Sequence, residues 1–384
     1  MASITHSIQA AALELIEAGF HILDLGLQNP DFHTSVDARH LLRSEHTPDI
    51  DTEDTSSSHH DLKCDVSELL RREKNLYYDV DQISLSWSVR QVVLTTMMST
   101  LDFGNEVIIT APSWPAYSDI VECCDALAVR IETQVANGFK LTPHALRIAI
   151  TQQTRWLILN QSSNPVGISY SAKELKRLAE VLAQNPHVKI LFDITGSDSA
   201  ESLSTFAEVE PSLLERTLYM GGLIGSSSTS LTPIGYAAGA RELIDDLNCV
   251  NSHFPLLVQS YGATGTADLS EPKSIGCHQQ EHQKLRDESL ALLRSIPFVD
   301  QIETTGFGHV LMSCQPVMGL KSLSGVTIVD DVTFALELLK EQHLLVTPGS
   351  MFGLFGYFLV SLSAPVNNID DGRNRISCFC SRLS

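Results

Sequence analysis

Residues 157–171 read LILNQSSNPVGISYS, in which an apolar run ends in polar residues and an Asn-Pro-x-Gly turn. Similar apolar runs recur between about residues 83 and 240, and helical or loop segments separate them. The runs are Ile83–Leu85, Val107–Ile109, Ala128–Ile131, Trp156–Leu159, Ile190–Phe192 and Thr217–Met220. Such alternation predicts an α/β fold with a mostly parallel sheet that is covered by helices on both faces.

The residues that follow these runs are the main candidates for function, because ligands of parallel sheets bind at the carboxyl ends of the strands. They are Ser86–Arg90, Pro112–Trp114, Asn160–Asn164, Asp193–Gly196 and Gly221–Ser230. We therefore expect a pocket along this edge of the sheet.

The C-terminal part of the chain no longer shows the regular alternation of apolar runs and helices, and its pattern predicts a smaller α+β domain. A polar helix around 279–295 precedes strands near 300–314 and 344–362, with a helix at 329–342 between them. We expect three segments, namely an N-terminal helix and strand that belong to the small domain (1–44), the large α/β domain (45–275) and the C-terminal small domain (276–384). Residues 45–60 are polar, acidic and serine-rich, which predicts a mobile loop before a helix over 61–74.

The composition excludes several classes of partner. The chain has 384 residues, with 46 acidic against 26 basic side chains, so phosphates of nucleic acid or of an anionic membrane would be repelled. No apolar run approaches the roughly 18 residues of a membrane helix, and the N-terminus lacks the basic start of an export signal. The eight cysteines form no paired framework and are expected to be free thiols. We expect a cytoplasmic protein.

Six ordered segments carry a family resemblance over nearly the whole chain. They are LDLGLQNPDFHT (23–34), FGNEVIITAPSWPAYSDIV (103–121), GFKLTPHAL (138–146), LILNQSSNPVGISYS (157–171), IGYAAGARELI (234–244) and TPGSMFG (347–353). Together they resemble the class I and II aminotransferases, which are pyridoxal phosphate-dependent enzymes of fold type I. The resemblance implies the fold type I large domain with its smaller α+β domain. It also implies a homodimer, since the family builds each pocket at a subunit interface.

Three residues match positions that hold the cofactor in that family. The resemblance implies that Trp114 stacks on the pyridine ring, that Asn164 bonds the ring oxygen and that Asp193 keeps the pyridine nitrogen protonated. Alternatively, Trp114 is a packing residue, Asn164 a turn former before proline and Asp193 a helix N-cap. Because all three lie at strand ends, we favour a retained pocket.

Other family positions carry different residues in this chain. The lysine that forms a Schiff base with the cofactor falls at Gly225, and no lysine occurs between Lys189 and Lys273. The arginine that grips the phosphate falls at Pro233, the tyrosine that bonds the ring oxygen at Gly196, and the arginine that clamps the substrate carboxylate at Leu359. The family's glycine-rich phosphate turn reads Trp-Ser-Val-Arg here, although Arg90 can still pair with an anion. These losses predict a more apolar pocket.

Histidines supply the remaining candidates for proton transfer. His309, in Gly-Phe-Gly-His, occupies a pocket-lining position of the family and has a side chain that titrates near neutrality. A strand histidine that faces solvent or core is the alternative, and the same choice applies to His253. His59 and His60 lie in a polar segment and are expected to be solvated rather than metal ligands. The serines at 226–230 have no nucleophile elbow around them.

Three functions remain open from the sequence. We favour an enzyme that reuses the old pocket without covalently bound pyridoxal phosphate. It would bind a largely apolar small molecule and promote a cyclisation or isomerisation in specialised metabolism, with Asp193 and His309 as catalytic residues. The second is a lysine-free enzyme that binds pyridoxal or pyridoxamine phosphate non-covalently. The third is a non-catalytic binding protein.

Overall fold

A computed structural model describes residues 2–26, 54–161, 165–167, 169–195, 204–223, 234–254, 287–297, 299–302, 309–362 and 364–384. By its contacts the chain divides into two units. The first comprises Met1–Phe32, Pro165–Gly167 and Lys273–Ser384, and the second comprises His33–Asn164 and Ile168–Pro272. Of the described helices, none is both long enough and apolar enough to cross a membrane.

The strands, in chain order, are β1 Leu23–Asp24, β2 Ile83–Ser86, β3 Glu106–Ala111, β4 Leu127–Glu132, β5 Thr154–Asn160, β6 Lys189–Asp193, β7 Thr217–Leu223, β8 Ile234–Ala238, β9 Asp300–Ile302, β10 His309–Ser313, β11 Leu344–Leu345, β12 Thr347–Pro348 and β13 Tyr357–Ser361. The α-helices are α1 Ala2–Glu17, α2 Asp54–Lys74, α3 Val89–Thr100, α4 Ala116–Cys123, α5 Pro143–Ala149, α6 Ala172–Ala183, α7 Phe206–Val209, α8 Arg241–Asn251, α9 Asp331–Gln342 and α10 Val366–Arg382.

The second unit is built on a seven-stranded sheet in the order β2-β8-β7-β6-β5-β3-β4. β8 pairs antiparallel with both β2 and β7, and the other pairs are parallel. In β5, Leu157 and Leu159 pack into one hydrophobic cluster while Trp156 and Ile158 pack into another. Because successive side chains point to opposite faces, both faces of the strand are covered, as its continuous apolar run predicts. The predicted mostly parallel, helix-flanked sheet is confirmed.

The helix α2 begins at Asp54, so the prediction of a loop is wrong for residues 54–60, whereas residues 45–53 lie outside the described chain. Leu62, Val66 and Leu70 recur at helical spacing and are buried in the core. Once packing fixes such a helix, adding a polar N-terminal turn costs little, because the polar residues differ only modestly from good helix formers.

One glycine brings α3 close to the sheet. A Cβ atom at Gly235 of β8 would overlap the backbone of Ser88 and Val89. Ser88 is the N-cap of α3, and its side chain accepts a hydrogen bond from the backbone N–H of Gln91 at 3.2 Å. The absence of a side chain at residue 235 therefore lets the helix begin directly on the strand.

The first unit contains a four-stranded antiparallel sheet, in the order β12-β13-β10-β9, and the parallel pair β1-β11. Three phenylalanines join its sheet to its helices. Phe334 of α9 lies with its ring centroid 4.9 Å from that of Phe358 and 5.5 Å from that of Phe379. This unit has the α+β character that the sequence predicts.

A buried carboxylate links a helix of the first unit to the segment before β13. Asp331, at the start of α9, is 0% exposed. Its Oδ2 accepts the backbone N–H of Ser350 at 2.8 Å, and its Oδ1 accepts that of Gly356 at 3.0 Å. The carboxylate thereby ties the turn before β13 to the helix.

Candidate active site

The candidate site lies where β5 and β6 end. Asn160 and Asp193 are the last residues of these strands, and they are direct partners in the parallel register. The apolar runs before them are buried in the sheet, which carries the two polar side chains to the same edge. A polar pair at the carboxyl ends of neighbouring strands is the expected position for a ligand site.

Asp193 receives hydrogen bonds on both carboxylate oxygens. The Tyr117 hydroxyl and the Asn160 Nδ2 donate to Oδ2, the latter at 3.1 Å, and the backbone N–H of Thr195 donates to Oδ1 at 2.7 Å. Asp193 is 3% exposed and Tyr117 is 1% exposed. The Thr195 contact spans two residues, as in an Asx turn.

Burial dominates the protonation of this group. It raises the pKa of Asp193, against hydrogen bonds from Thr195 and Tyr117 that lower it. Burial, with the neighbouring Asp193 charge, raises the pKa of Tyr117 well above its ordinary value of 10.0, so the tyrosine remains a hydrogen-bond donor. A cation next to Asp193 would compensate for the lost hydration of its carboxylate and would favour the ionised form.

Tyr117 connects Asp193 to the predicted stacking residue. The Trp114 and Tyr117 rings meet edge to face, with centroids 5.4 Å apart. The Arg90 guanidinium lies over the Trp114 ring, 5.4 Å from its centroid, in a cation–π contact. The structure therefore brings three of the predicted site residues, Arg90, Trp114 and Asp193, into one connected group.

Gln161 fixes the chain just after β5. It is fully buried, and its Nε2 donates to the backbone oxygens of Tyr170 at 2.9 Å and Ser204 at 2.7 Å. Its Oε1 accepts the backbone N–H of Tyr170 at 3.2 Å. These bonds hold the end of the strand and therefore the position of Asn160.

His309 begins β10 in the first unit. Its Nε2 lies 2.6 Å from the backbone oxygen of Pro165, and since a carbonyl only accepts, Nε2 carries the proton. Proton acceptance by this ring would therefore occur at Nδ1. Its role as an acid or base remains a prediction.

The other predicted positions are distributed differently. Leu359 is fully buried in β13, between Leu311 and Thr347 in the register. His253 is exposed just after α8. Asn164, Gly196, Gly225, Pro233 and Ser226–Ser230 lie outside the described residues.

His59 and His60 lie on α2 beside an open cavity of about 780 Å³ that Lys63, Asp79, Val80 and Asp81 also line. Among the residues that the structure describes, no three His, Cys, Asp or Glu side chains are grouped as a metal site requires.

Tyr117 was not predicted from the sequence, and Asn160 and Gln161 were predicted only as part of the strand-end segment Asn160–Asn164. For Asn160 the signal was its position at the end of an apolar run. Tyr117 lies in α4, where the sequence predicts that an aromatic side chain packs in the hydrophobic core. Only the fold brings its hydroxyl to Asp193.

The described residues fit the pyridine ring of pyridoxal phosphate. Burial raises the pKa of Asp193, and the buried amide oxygen of Asn160 beside it has no hydrogen-bond partner among the described residues. Such a site suits a flat group with a protonatable nitrogen. The segments expected to contact the phosphate and the linking lysine lie mainly outside the described chain.

Known proteins similar to this chain are aminotransferases. Residues 21–378 match the sequence profile of the family "Aminotransferase class I and II". An aspartate aminotransferase of Rhizobium meliloti (strain 1021) is 34% identical over 98% of this chain and 93% of its own length. An aspartate/prephenate aminotransferase of Cereibacter sphaeroides is 32% identical over 100% of this chain and 97% of its own length.

Solved structures agree on the fold. The crystal structure of the aspartate aminotransferase from Rhizobium meliloti superposes with a TM-score of 0.84 at 31% identity, covering 99% of this chain and 96% of that one. The aspartate aminotransferase from Thermotoga maritima, at 20% identity, has a TM-score of 0.80 and covers 98% and 97% of the two chains.

These similarities correct two predictions. The prediction of an enzyme repurposed for cyclisation or isomerisation is wrong, because relatives 31–34% identical over the full chain are named as aminotransferases. The prediction that no pyridoxal phosphate is covalently bound is wrong for the same reason, since the family indicates this cofactor in its usual, covalently bound form. The predicted change of chemistry depended on substitutions at single positions, whereas the likeness to aminotransferases extends over nearly the whole chain.

Proposed function

Because the chain belongs to the class I and II aminotransferase family, we propose that it is a pyridoxal phosphate-dependent aminotransferase. Such an enzyme moves an amino group between an amino acid and a 2-oxo acid. The observation that carries the proposal is the buried Asp193 carboxylate, which three donors hold at the end of β6. When bound, the cofactor supplies an electron sink, because its protonated pyridine ring withdraws electrons from the substrate.

The chain's own residues orient the ring and hold its proton. With the cofactor bound, Asp193 would accept the N–H of the ring nitrogen, and the negative charge of its carboxylate would keep that nitrogen protonated. Trp114 offers an aromatic face for stacking, and its edge contact with Tyr117 fixes the orientation of the indole. Because Asp193 and Tyr117 are buried, water is excluded from this position. Its exclusion would strengthen the ion pair between the Asp193 carboxylate and the protonated ring nitrogen.

For the substrate we propose aspartate as the amino donor, because the similar proteins are named for aspartate and for prephenate. This replaces the largely apolar ligand expected from the sequence. The buried Leu359 occupies the family position of the carboxylate-binding arginine, so we expect weak binding of the substrate carboxylate there. We also propose that the chain is a homodimer, as the family resemblance implies, which light scattering tests.

We further propose that Gly225 occupies the position of the family's Schiff-base lysine, so the covalent bond to the cofactor that the family indicates would be formed by a lysine elsewhere in the chain. The sequence supports this, since it contains no lysine between Lys189 and Lys273. A primary amine at that position moves a proton within the reacting complex, and a positioned acid–base group contributes roughly a hundredfold to ten-thousandfold in rate. We therefore expect slow transamination from the wild-type chain.

The experiment measures transamination of aspartate with 2-oxoglutarate, with pyridoxal phosphate present. Gly225→Lys is expected to raise kcat by about a hundredfold or more, and Asp193→Asn to lower it by a similar factor of about a hundred. Tyr170→Phe is the matched control, because its hydroxyl is also buried but bonds the backbone N–H of Leu141 at 2.8 Å.

Two outcomes would overturn these proposals. Absence of transamination in both the wild type and Gly225→Lys contradicts the aminotransferase activity. A pyridoxyl adduct that borohydride traps on a native lysine, with wild-type turnover at the rate of Gly225→Lys, contradicts the assignment of the lysine position to Gly225.

A further inference from the structure

The Asp193 carboxylate has an unequal set of partners on its two oxygens. Oδ1 receives the backbone N–H of Thr195, which the local turn fixes. Oδ2 receives two side-chain donors, the Tyr117 hydroxyl from α4 and the Asn160 amide from β5. Three separate segments of the chain therefore converge on one charge, and two of them do so through side chains alone.

The two ends of the Asn160 amide differ in their partners. Nδ2 lies 3.1 Å from the Asp193 Oδ2 and 3.4 Å from the Tyr117 hydroxyl oxygen. Oδ1 is buried, and among the residues that the structure describes it has no hydrogen-bond partner. An unpaired buried acceptor is costly, so its retention needs a reason.

Rotation of this amide by half a turn would exchange its two ends. With Nδ2 towards Asp193, the amide donates to a carboxylate; with Oδ1 towards Asp193, it accepts from a carboxylic acid. The same side chain can thus match either protonation state of Asp193. The hydroxyl of Tyr117 can likewise donate to an ionised Oδ2, because burial keeps it protonated.

We propose that Tyr117 and Asn160 are positioning residues that keep Asp193 ionised and aligned for a cationic ring nitrogen, and that Asn160 turns its amide when the carboxylate loses its charge. The proposal rests on the proposed function for the identity of the ring. The effect of Tyr117 and Asn160 on Asp193 does not depend on the ring, so it is expected in the cofactor-free protein as well. Within the described chain, the groups that act on the Asp193 pKa besides burial are Thr195 and Tyr117.

The first test follows Asp193 in the cofactor-free protein by NMR, with aspartate labelled at the carboxyl carbon and Asp193→Asn used to assign the resonance. Tyr117→Phe is expected to move the Asp193 titration to higher pH, because one donor to the charged form is lost. Tyr170→Phe, which removes a buried hydroxyl bonded to Leu141 instead, is expected to leave it unchanged. The Asn160 side-chain amide signals should change over the same pH range as Asp193.

The second test measures binding of pyridoxal phosphate by absorbance titration. Tyr117→Phe is expected to weaken binding about tenfold or more, the usual effect of losing a hydrogen bond to a charged group, and Tyr170→Phe to have little effect. In turnover, kcat should fall in Tyr117→Phe while KM for aspartate changes little, since the substrate carboxylate is not bound here.

The two tests separate the two proposals. If the titration of Asp193 is the same in Tyr117→Phe and Tyr170→Phe, Tyr117 is a structural residue and the inference is overturned. If the titration moves as expected but no variant binds pyridoxal phosphate, the positioning of Asp193 is supported while the proposed function fails. Asn160 amide signals that stay constant while Asp193 titrates would overturn the rotation of the amide.

Discussion

Asp193 and Asp331 are both buried carboxylates, one in each unit, and their partners differ in kind. Asp331 is held by two backbone N–H groups, those of Ser350 and Gly356. Within the described residues Asp193 has one backbone donor, that of Thr195, and its side-chain donors include Tyr117 and Asn160. Buried backbone N–H groups need a hydrogen-bond acceptor, so the carboxylate of Asp331 has a structural role in the fold.

The surroundings of Asp193 leave a neighbouring polar atom without a partner. Among the described residues the amide oxygen of Asn160 accepts no hydrogen bond, and burial raises the pKa of Asp193 despite its donors. A fold that needed only a stable strand end would place an apolar or neutral residue there. The difference teaches that a buried charge held by side chains at a strand end indicates function, whereas one held by backbone indicates architecture.

The largest effect on stability is expected from Asp331→Ala. It leaves one buried and one partly buried backbone N–H group without acceptors, so the free energy of unfolding should fall by about 2–4 kcal/mol. Urea denaturation of the cofactor-free protein measures this. Affinity for pyridoxal phosphate per folded molecule should not change, and a loss of less than about 0.5 kcal/mol would show that the two carboxylates do not differ as we infer.

A smaller effect of opposite sign is expected from Asp193→Asn. The neutral amide removes the cost of a buried charge, and the Asn160 oxygen can then accept from the new N–H. The cofactor-free variant should match the wild type or exceed it by up to about 1 kcal/mol at neutral pH. A loss of stability like that of Asp331→Ala would mean that Asp193 also serves the fold.

The difference in stability between Asp193→Asn and the wild type is expected to depend on pH, and the pKa of Asp193 determines its sign. The folded pKa of Asp193 is raised from its ordinary value of 3.8, so its contribution to stability is fully present below that value. The contribution is lost as pH rises through the folded pKa, because the folded protein must then bury the charge. The advantage of Asp193→Asn should therefore shrink as pH falls. Thermal unfolding of both proteins over a pH series measures it, and a constant difference would contradict the raised pKa.

The smallest effect is expected from Arg90→Gln, which provides an exposed charge for comparison with the two buried ones. Its guanidinium lies over the Trp114 ring but is exposed to water. A cation–π contact at an exposed site contributes about 0.5–1 kcal/mol, so we expect the free energy of unfolding to fall by about that amount. A larger loss in urea denaturation would indicate that the charge of Arg90 supports the site more strongly than its exposure suggests.

Much of the fold and part of the site could be predicted from the sequence. The apolar runs around Leu157 and Ile190 indicated buried parallel strands, because strands covered on both faces need no polar alternation. The end of each run located Asn160 and Asp193 at one edge. The start of α2 at Asp54 was missed, since the polar residues before Leu62 carry no helical pattern and only packing against the core extends that helix.

By itself, the sequence determined the family and the identity of the anion at the end of β6, because ordered motifs and strand-end positions are properties of local residue order. It also determined that glycine occupies residue 225. Only the tertiary structure decided that Tyr117, which follows a different strand, donates to Asp193, and that the amide oxygen of Asn160 has no partner in the part of the chain that the structure describes. The physical reason is that hydrogen bonds form between atoms brought together by chain folding, and the spacing of residues along the sequence does not encode those distances.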